Sequence, residues 1–314
     1  ANTTGSNNVG VGASALGANT TGTYNTAVGY YALGANTTGA SNVAIGYKAL
    51  EDHTTSYTVA IGGEALTNNT TGGNNVALGF RTLYTNTTGA SNVAIGYDTL
   101  YTNNASNNIA IGHNALYANT TGTENVAVGA FALDANTTGN YNTAVGNSAL
   151  SAVTTAIENT ALGYTALAAN TTGAYNTACG SSSMSTNTTG TKNVAVGRAT
   201  LGYNTTGNYN VAMGYHALLD NTDGHSNTAI GYLAGHNITT GDYNVAVGHD
   251  ALVTATTVGQ LTAVGRAALA NNTTGAQNVA CGYGTLIYNT TGGSNTALGY
   301  SALTTNTTGS NNTA

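Results

Sequence analysis

Proline and tryptophan are absent from this 314-residue chain, cysteine and phenylalanine occur twice each, and only 5% of residues are charged. Each shortage excludes something. Ordinary domains carry roughly 25% charged residues, and five Lys/Arg in all make no phosphate-neutralising surface. Nucleic acid is therefore not an expected partner. No apolar run approaches the ~18 residues of a membrane-spanning helix, so membrane insertion is not expected either. The missing proline fits a chain in which every segment must donate N–H groups to a neighbour.

What is present is one phrase, repeated: Asn-Val/Thr-Ala-Val/Ile-Gly-Tyr-x-Ala-Leu-x-x-Asn-Thr-Thr-Gly-x-x. Its first glycine recurs eighteen times, from Gly12, Gly29 and Gly46 to Gly282 and Gly299, always 17 residues apart except for two steps of 16 (Gly46 to Gly62, Gly96 to Gly112). A short fixed period means stacked repeats, so residues 1–314 read as a single array. The chain opens mid-repeat (Ala1-Asn2-Thr3-Thr4-Gly5) and stops mid-repeat (Asn312-Thr313-Ala314), which reads as a window of a longer array. No Ser/His/Asp arrangement, paired carboxylate or phosphate loop stands apart from the repeat. The expectation is a protein that is not an enzyme, with no catalytic residue, no cofactor and no metal site.

Slots are numbered here from the Asn that opens each copy, so Asn42 is slot 1 and Gly46 slot 5. Seventeen residues are too few for a helix pair. Slot 2 is β-branched in every copy, and Asn, Thr and Gly fill much of the rest, a composition that favours strands and turns. Asn42-Val43-Ala44-Ile45 reads as a short strand, Gly46 as a bend and Asn36-Thr37-Thr38-Gly39 as a turn. The fold class expected is all-β: a parallel β-solenoid (β-roll) of about eighteen 17-residue coils, stacked at ~4.8 Å. The two short copies, His53-Thr54-Thr55-Ser56 and Asn103-Asn104-Ala105-Ser106, place their deletion at the Gly of Thr-Thr-Gly, which marks a corner.

Slot 4 is apolar throughout and holds Cys179, Cys281 and Met213. Slot 9 is Leu in sixteen copies and Met184 in another. These sulfur residues read as core fillers, and cysteines six coils apart, roughly 29 Å, exclude an intrachain disulfide. Slots 2 and 4 lie on one side of the strand and slot 3 on the other. Slot 3 is Ala in seventeen copies and Gly10 once, a restriction unlike that of a solvated position. Either Ala faces an interface and Val/Ile fills the coil, or the reverse. Both leave an outward apolar stripe, and the first assigns self-association to Ala27, Ala44, Ala60, Ala77, Ala94, Ala110, Ala127 and Ala144. A coil thin enough to enclose both sides is the remaining alternative.

Asn-Val-Ala-Ile-Gly (Asn42 to Gly46, Asn92 to Gly96), followed by x-x-Ala, resembles the head repeat of trimeric autotransporter adhesins. Similar Asn-Thr-Ala-Ile-Gly-Tyr repeats occur in phage tail fibres and other bacterial surface fibres. The match covers the whole chain but about half of each copy, and the adhesin repeat is shorter, with Asn-Thr-Thr-Gly as the apparent insertion. The resemblance implies trimeric left-handed β-rolls located outside the cell, on its surface or on a virion.

Stacking turns each slot into a ladder. Slot 7 carries Lys48, Glu64, Arg81 and Asp98 in successive coils, alternating in sign, which reads as a salt-bridge ladder worth ~0.2–1 kcal/mol per exposed pair. Tyrosine favours slot 6 (Tyr30, Tyr47, Tyr97) and slot 17 (Tyr24, Tyr141, Tyr209), as stacking ladders or as a carbohydrate-binding or adhesive surface. His and Asp concentrate between 216 and 250, where His225 and Asp242 share slot 16 in adjacent coils without a recognised metal spacing. Asn-Thr-Thr, a formal glycosylation sequon, occurs thirteen times, too densely for glycans and in keeping with Asn and Thr ladders.

The function expected is structural: a self-associating extracellular or virion fibre, a homotrimer or filament, whose repeated weak contacts reach carbohydrate or a host surface. The rival is an ice-binding β-solenoid. Adjacent Thr37 and Thr38 are expected to point to opposite sides, which leaves that rival one outward threonine rank.

Overall fold

The computed structural model describes residues 2–314, which form no helix. Each copy contributes one three-residue strand, such as Val43–Ile45. The chain divides into two compact units, Ala1–Ile157 and Glu158–Ala314. Strands Val9–Val11 to Thr143–Val145 belong to the first and strands Thr160–Leu162 to Thr296–Leu298 to the second. Within each unit successive strands pair in parallel and in register. Thr26 faces Val43, which faces Val59, and Thr160 faces Thr177, which faces Val194. Each unit is a parallel β-solenoid, as the period implies.

The coil closes through residues held in the left-handed region. Gly46 has φ +135°, and a Cβ there would lie 2.6 Å from the carbonyl carbon of Gly62 in the next coil, so only glycine fits. Lys48 and Leu50 follow at φ +56° and +53°, a conformation costing about 1–2 kcal/mol for a residue with a side chain. At Leu50 full burial returns a similar amount, ~1.5–3 kcal/mol. That turn aims the slot 9 leucine into the coil.

The leucine decides which face of the strand is inside. Ala27, Ala44, Ala60, Ala77, Ala94, Ala110, Ala127 and Ala144 are all 0% exposed. They are core, and the reading of these alanines as the outward stripe is corrected. A Cβ on Gly10 would sit 3.5 Å from Leu16 Cδ1, so the gap between strand and opposing leucine admits one methyl group and nothing larger. Val43 and Ile45 therefore point outward, half-buried and exposed respectively. Slot 4 being outward, Cys179 and Cys281 are half-buried and Met213 is exposed. Of the sulfur residues read as core, only Met184 is fully buried.

Two columns of buried asparagine complete the interior. Asn36 Nδ2 donates to Asn19 Oδ1 one coil away at 2.8 Å. In the other column, slot 1, the backbone N–H of Asn42 donates to Asn25 Oδ1 at 3.0 Å. Both columns serve the carbonyl of slot 15: Gly39 O accepts from Asn36 Nδ2 at 3.1 Å and from Asn25 Nδ2 at 2.8 Å. The sequon asparagines Asn36, Asn69, Asn86 and Asn119 are 0% exposed and committed to these ladders. A glycan on them is incompatible with the folded coil.

The double acceptor relocates the deletion in the short copies. Thr55 O and Ala105 O receive the Asn42 and Asn92 amides at 2.8 Å, so Thr55 and Ala105 stand where Gly39 stands. The residue lost is the second threonine, not the glycine as the alignment suggested. The slot 15 carbonyl has two amides to satisfy, whereas the slot 14 side chain is exposed at Thr38.

One coil in the second unit departs from the pattern and compensates within itself. Gly235 stands where the leucine belongs, and Ile238 stands where the asparagine belongs. A Cβ on Gly235 would meet Ile238 Cδ1 at 3.1 Å and Leu218 Cδ2 at 3.2 Å. The isoleucine, 1% exposed, fills the volume of the missing leucine from three residues further on.

Candidate functional site

With alanine and leucine inside, the functional surface consists of outward columns. Slots 2 and 4 form the strand face. Every residue in them is Val, Ile, Leu, Thr, Cys or Met, and Val76, Leu78, Ile109, Ile111, Leu162, Met213 and Ile230 are exposed by 37–47%. A strand with one solvated face ordinarily alternates apolar-in and polar-out. Here the small side chains are inside and the large apolar ones outside, without a charge along the face.

Slot 6 borders that face with stacked rings, as the ladder reading expects. Tyr30 and Tyr47 lie 5.8 Å apart and 6° from parallel, Tyr215 and Tyr232 5.5 Å and 9°, Tyr283 and Tyr300 5.3 Å and 7°. Phe80, Tyr97 and His113 form another such run. The phenol of Tyr283 accepts a hydrogen bond from Arg266 Nη1 at 3.1 Å. A further run, Tyr84, Tyr101 and Tyr117 at 5.3 and 5.2 Å, occupies slot 10 and was not foreseen, although those three tyrosines are spaced by the period. Slot 17 behaves differently. Tyr24 is followed by Ser41 and Tyr209 by Ser226, so its rings have no ring in the next coil, and the stacking expected there does not occur.

The slot 7 charge column forms one of its expected rungs. Arg81 grips Asp98 with both prongs, Nε to Oδ1 at 2.9 Å and Nη2 to Oδ2 at 2.6 Å, and its guanidinium rests 5.1 Å from the Phe80 ring centroid. Hydrogen bonding to Asp98 raises its pKa further. Lys48 instead pairs within its own coil, with Glu51 Oε2 at 3.1 Å, and that bond raises its pKa. Among the described residues no ion pair joins Glu64 to Lys48 or to Arg81. Lys48 has a partner three residues along its own backbone, and this competes with the rung across coils.

The His/Asp-rich stretch is likewise local. His225 and Asp242 do meet, but through the His225 backbone N–H, which donates to Asp242 Oδ1 at 2.6 Å. His249 Nδ1 lies 2.9 Å from Asp250 Oδ2, and His236 Nδ1 lies 3.8 Å from Asp220 Oδ2. Burial, and next the neighbouring His236, lowers the pKa of His216. Among the described residues no three His, Cys, Asp or Glu converge on a point where a metal ion would sit. The most perturbed histidine is His53, which replaces asparagine in the inner column: 0% exposed, it is lowered by burial to about 4. Its Nδ1 accepts from Asn69 Nδ2 at 2.9 Å, taking the part of an asparagine oxygen.

At the corner Thr37 and Thr38 are both exposed, which corrects the expectation of opposite sides. The chain turns there, with Asn36 and Gly39 buried on either side of the pair. Slot 13 hydroxyls donate along the stack, as from Thr20 Oγ1 to Thr37 O at 3.0 Å, whereas the Thr38 hydroxyl has no protein partner among the described residues. No protein-family model matches the chain, and no curated protein matches it.

Proposed function

We propose that this chain is a structural segment of an extracellular, cell-surface or virion fibre, and that copies of it associate through the strand face of slots 2 and 4. The observation that carries this reading is the inversion of the coil. Val, Ile and Leu, with Thr in part of slot 2, stand outward in an uncharged, periodic face, where a solvated sheet face ordinarily carries polar and charged residues. A second copy presents the same face at the same spacing, so a trimer or a lateral filament buries it continuously. The resemblance of Asn42 to Gly46 to adhesin-head repeats supports the same role. The tyrosine and threonine columns left outside supply weak repeated contacts with carbohydrate or a host surface, multiplied by avidity. Replacing Ile109 and Ile111 together by Lys tests this. The expected result is a chain with unchanged circular dichroism whose sedimentation coefficient falls to that of a monomer. An assembly of undiminished mass overturns the assignment of the face.

Ice binding stands as a second reading, because both threonines of the corner are exposed and the Thr38 hydroxyl has no protein partner among the described residues. It requires thermal hysteresis in the unmodified protein that disappears when Thr38, Thr71 and Thr121 are replaced by Lys.

A further inference from the structure

Slot 17 of the second unit carries Tyr175, Lys192, Tyr209, Ser226 and Tyr243 in successive coils. The three tyrosines have φ +63°, +59° and +58°, a region where Gly, Asn or Asp is at ease and a bulky side chain is an outlier. They are 46%, 56% and 64% exposed and, among the described residues, stack on no other ring. The contact they make in the column is that of Lys192, whose ammonium lies 5.2 Å from the centroid of the Tyr209 ring. Backbone preference does not account for tyrosine at these positions, and Tyr175 and Tyr243 have neither a ring nor a cation against them among the described residues.

Register fixes their spacing. The strands pair without slippage from Thr177 through Val194, Val211 and Thr228 to Val245, so the tyrosines recur every second coil, about 10 Å apart at the interstrand distance. That is about the length of one disaccharide in an extended β-1,4-linked pyranose chain. Beside them runs a polar rail in slot 16. Asn208 Oδ1 accepts the Thr191 N–H at 2.6 Å and its hydroxyl at 2.9 Å, His225 Nδ1 accepts the Asn208 N–H at 3.0 Å, and Asp242 Oδ1 accepts the His225 N–H at 2.6 Å. With Nδ1 accepting, the His225 proton sits on Nε2. Next to Tyr243 an open depression of about 340 Å³ has Asp242, Gln260, Thr240 and Thr257 in its lining.

We infer that this edge of the second unit is a binding site for an extended β-1,4-linked polysaccharide, one disaccharide to each tyrosine. The Tyr175, Tyr209 and Tyr243 rings pack against the apolar faces of alternate sugars. The second oxygen of Asp242 and His225 Nε2 on the rail, and the Gln260 amide N–H in slot 17 beside them, take the hydroxyl groups. The inference rests on the carbohydrate-contact part of the proposed function and is independent of self-association.

Titration calorimetry of the full chain with cellohexaose and chitohexaose tests it, with the curved α-1,4-linked maltohexaose as control. Binding of at least one β-linked hexaose and none of maltohexaose is expected. Each Tyr→Ala change should weaken binding by up to about tenfold, the equivalent of one aromatic contact, while Tyr209→Phe retains it. Absence of binding to both β-linked sugars, equal binding of maltohexaose, or unchanged binding by the folded triple variant Y175A/Y209A/Y243A overturns the inference. The assembled mass measured on the same samples keeps the two readings apart, because an intact multimer without sugar binding overturns only the polysaccharide site.

Discussion

The two units solve the same interior problem with different exceptions. In Ala1–Ile157 the coil length varies, because two copies drop a residue, and the exceptions are of mixed kind: His53 and Val153 stand in one asparagine column and Thr58 in the other. In Glu158–Ala314 the length is constant, and the exceptions are apolar: Ile238 and Ala255 in slot 12, Leu261 in slot 1. The units tolerate these changes because each slot 15 carbonyl has two amides available. Where Ile238 removes one donor, Gly241 O still accepts from Asn227 Nδ2 at 2.8 Å. Where Ala255 does, Val258 O still accepts from Asn244 Nδ2 at 3.0 Å. The loss appears one coil earlier. Asn221 Oδ1, which faces Ile238, and Asn136 Oδ1, which faces Val153, are buried without a partner among the described residues. The carbonyl is protected by duplication, and the asparagine column itself is not.

That contrast predicts a large cost for breaking the column at an asparagine bonded on both sides. Asn119 donates to Asn103 Oδ1 at 2.6 Å and to Gly122 O at 2.9 Å, and accepts from Asn136 Nδ2 at 3.0 Å. Asn119→Ala should lower unfolding free energy by about 3 kcal/mol, since it strands buried polar groups on both sides, as read from urea denaturation. A cost under about 1 kcal/mol would mean that the column is dispensable.

His53 makes the first unit acid-sensitive. Its value in the fold, about 4, lies below the ordinary 6.5, so the folded state holds the neutral ring and the unfolded state takes the proton first. Its contribution is complete above pH 6.5 and is lost as pH falls toward 4, by about 3 kcal/mol in total. His53→Asn should therefore match the parent at pH 7.5 and exceed it in urea midpoint at pH 4.5. Equal midpoints at pH 4.5 would contradict the buried, neutral assignment.

The compensated coil of the second unit gives a smaller effect and a sharper test. Gly235→Leu alone should cost about 2 kcal/mol by overpacking against Ile238 and Leu218. Adding Ile238→Asn restores the regular pattern and should recover most of the loss in a double-mutant cycle. Additive costs would show that the two residues do not share one volume. Smaller still is the asymmetry across a single strand. Ala44→Val should destabilise by about 1–2 kcal/mol, and Val43→Ala, outward, by less in a chain kept monomeric by I109K/I111K.

The period, the strand at Val43, the leucine core, the asparagine ladders and the ring stacking in slot 6 were legible in the sequence, because stacking in register multiplies each local preference. The absolute sense of the strand was not. Alternation says that Ala44 and Val43 lie on opposite sides, and the side facing in depends on how much room the left-handed Leu50 leaves across the coil. The deletion site was hidden for a similar reason, since a backbone carbonyl serving two amides leaves no mark on its own side chain. That the slot 17 tyrosines have no ring in the next coil follows from the spacing alone, whereas their exposure and the approach of Lys192 to the Tyr209 ring depend on how the corner folds.

The central claim is that the large apolar residues face outward in order to be covered by another copy. Light scattering of the unmodified 31.1 kDa chain tests this most directly. The account predicts a whole-number multiple of that mass, three chains or a filament, and a clean 31.1 kDa species at micromolar concentration would contradict it.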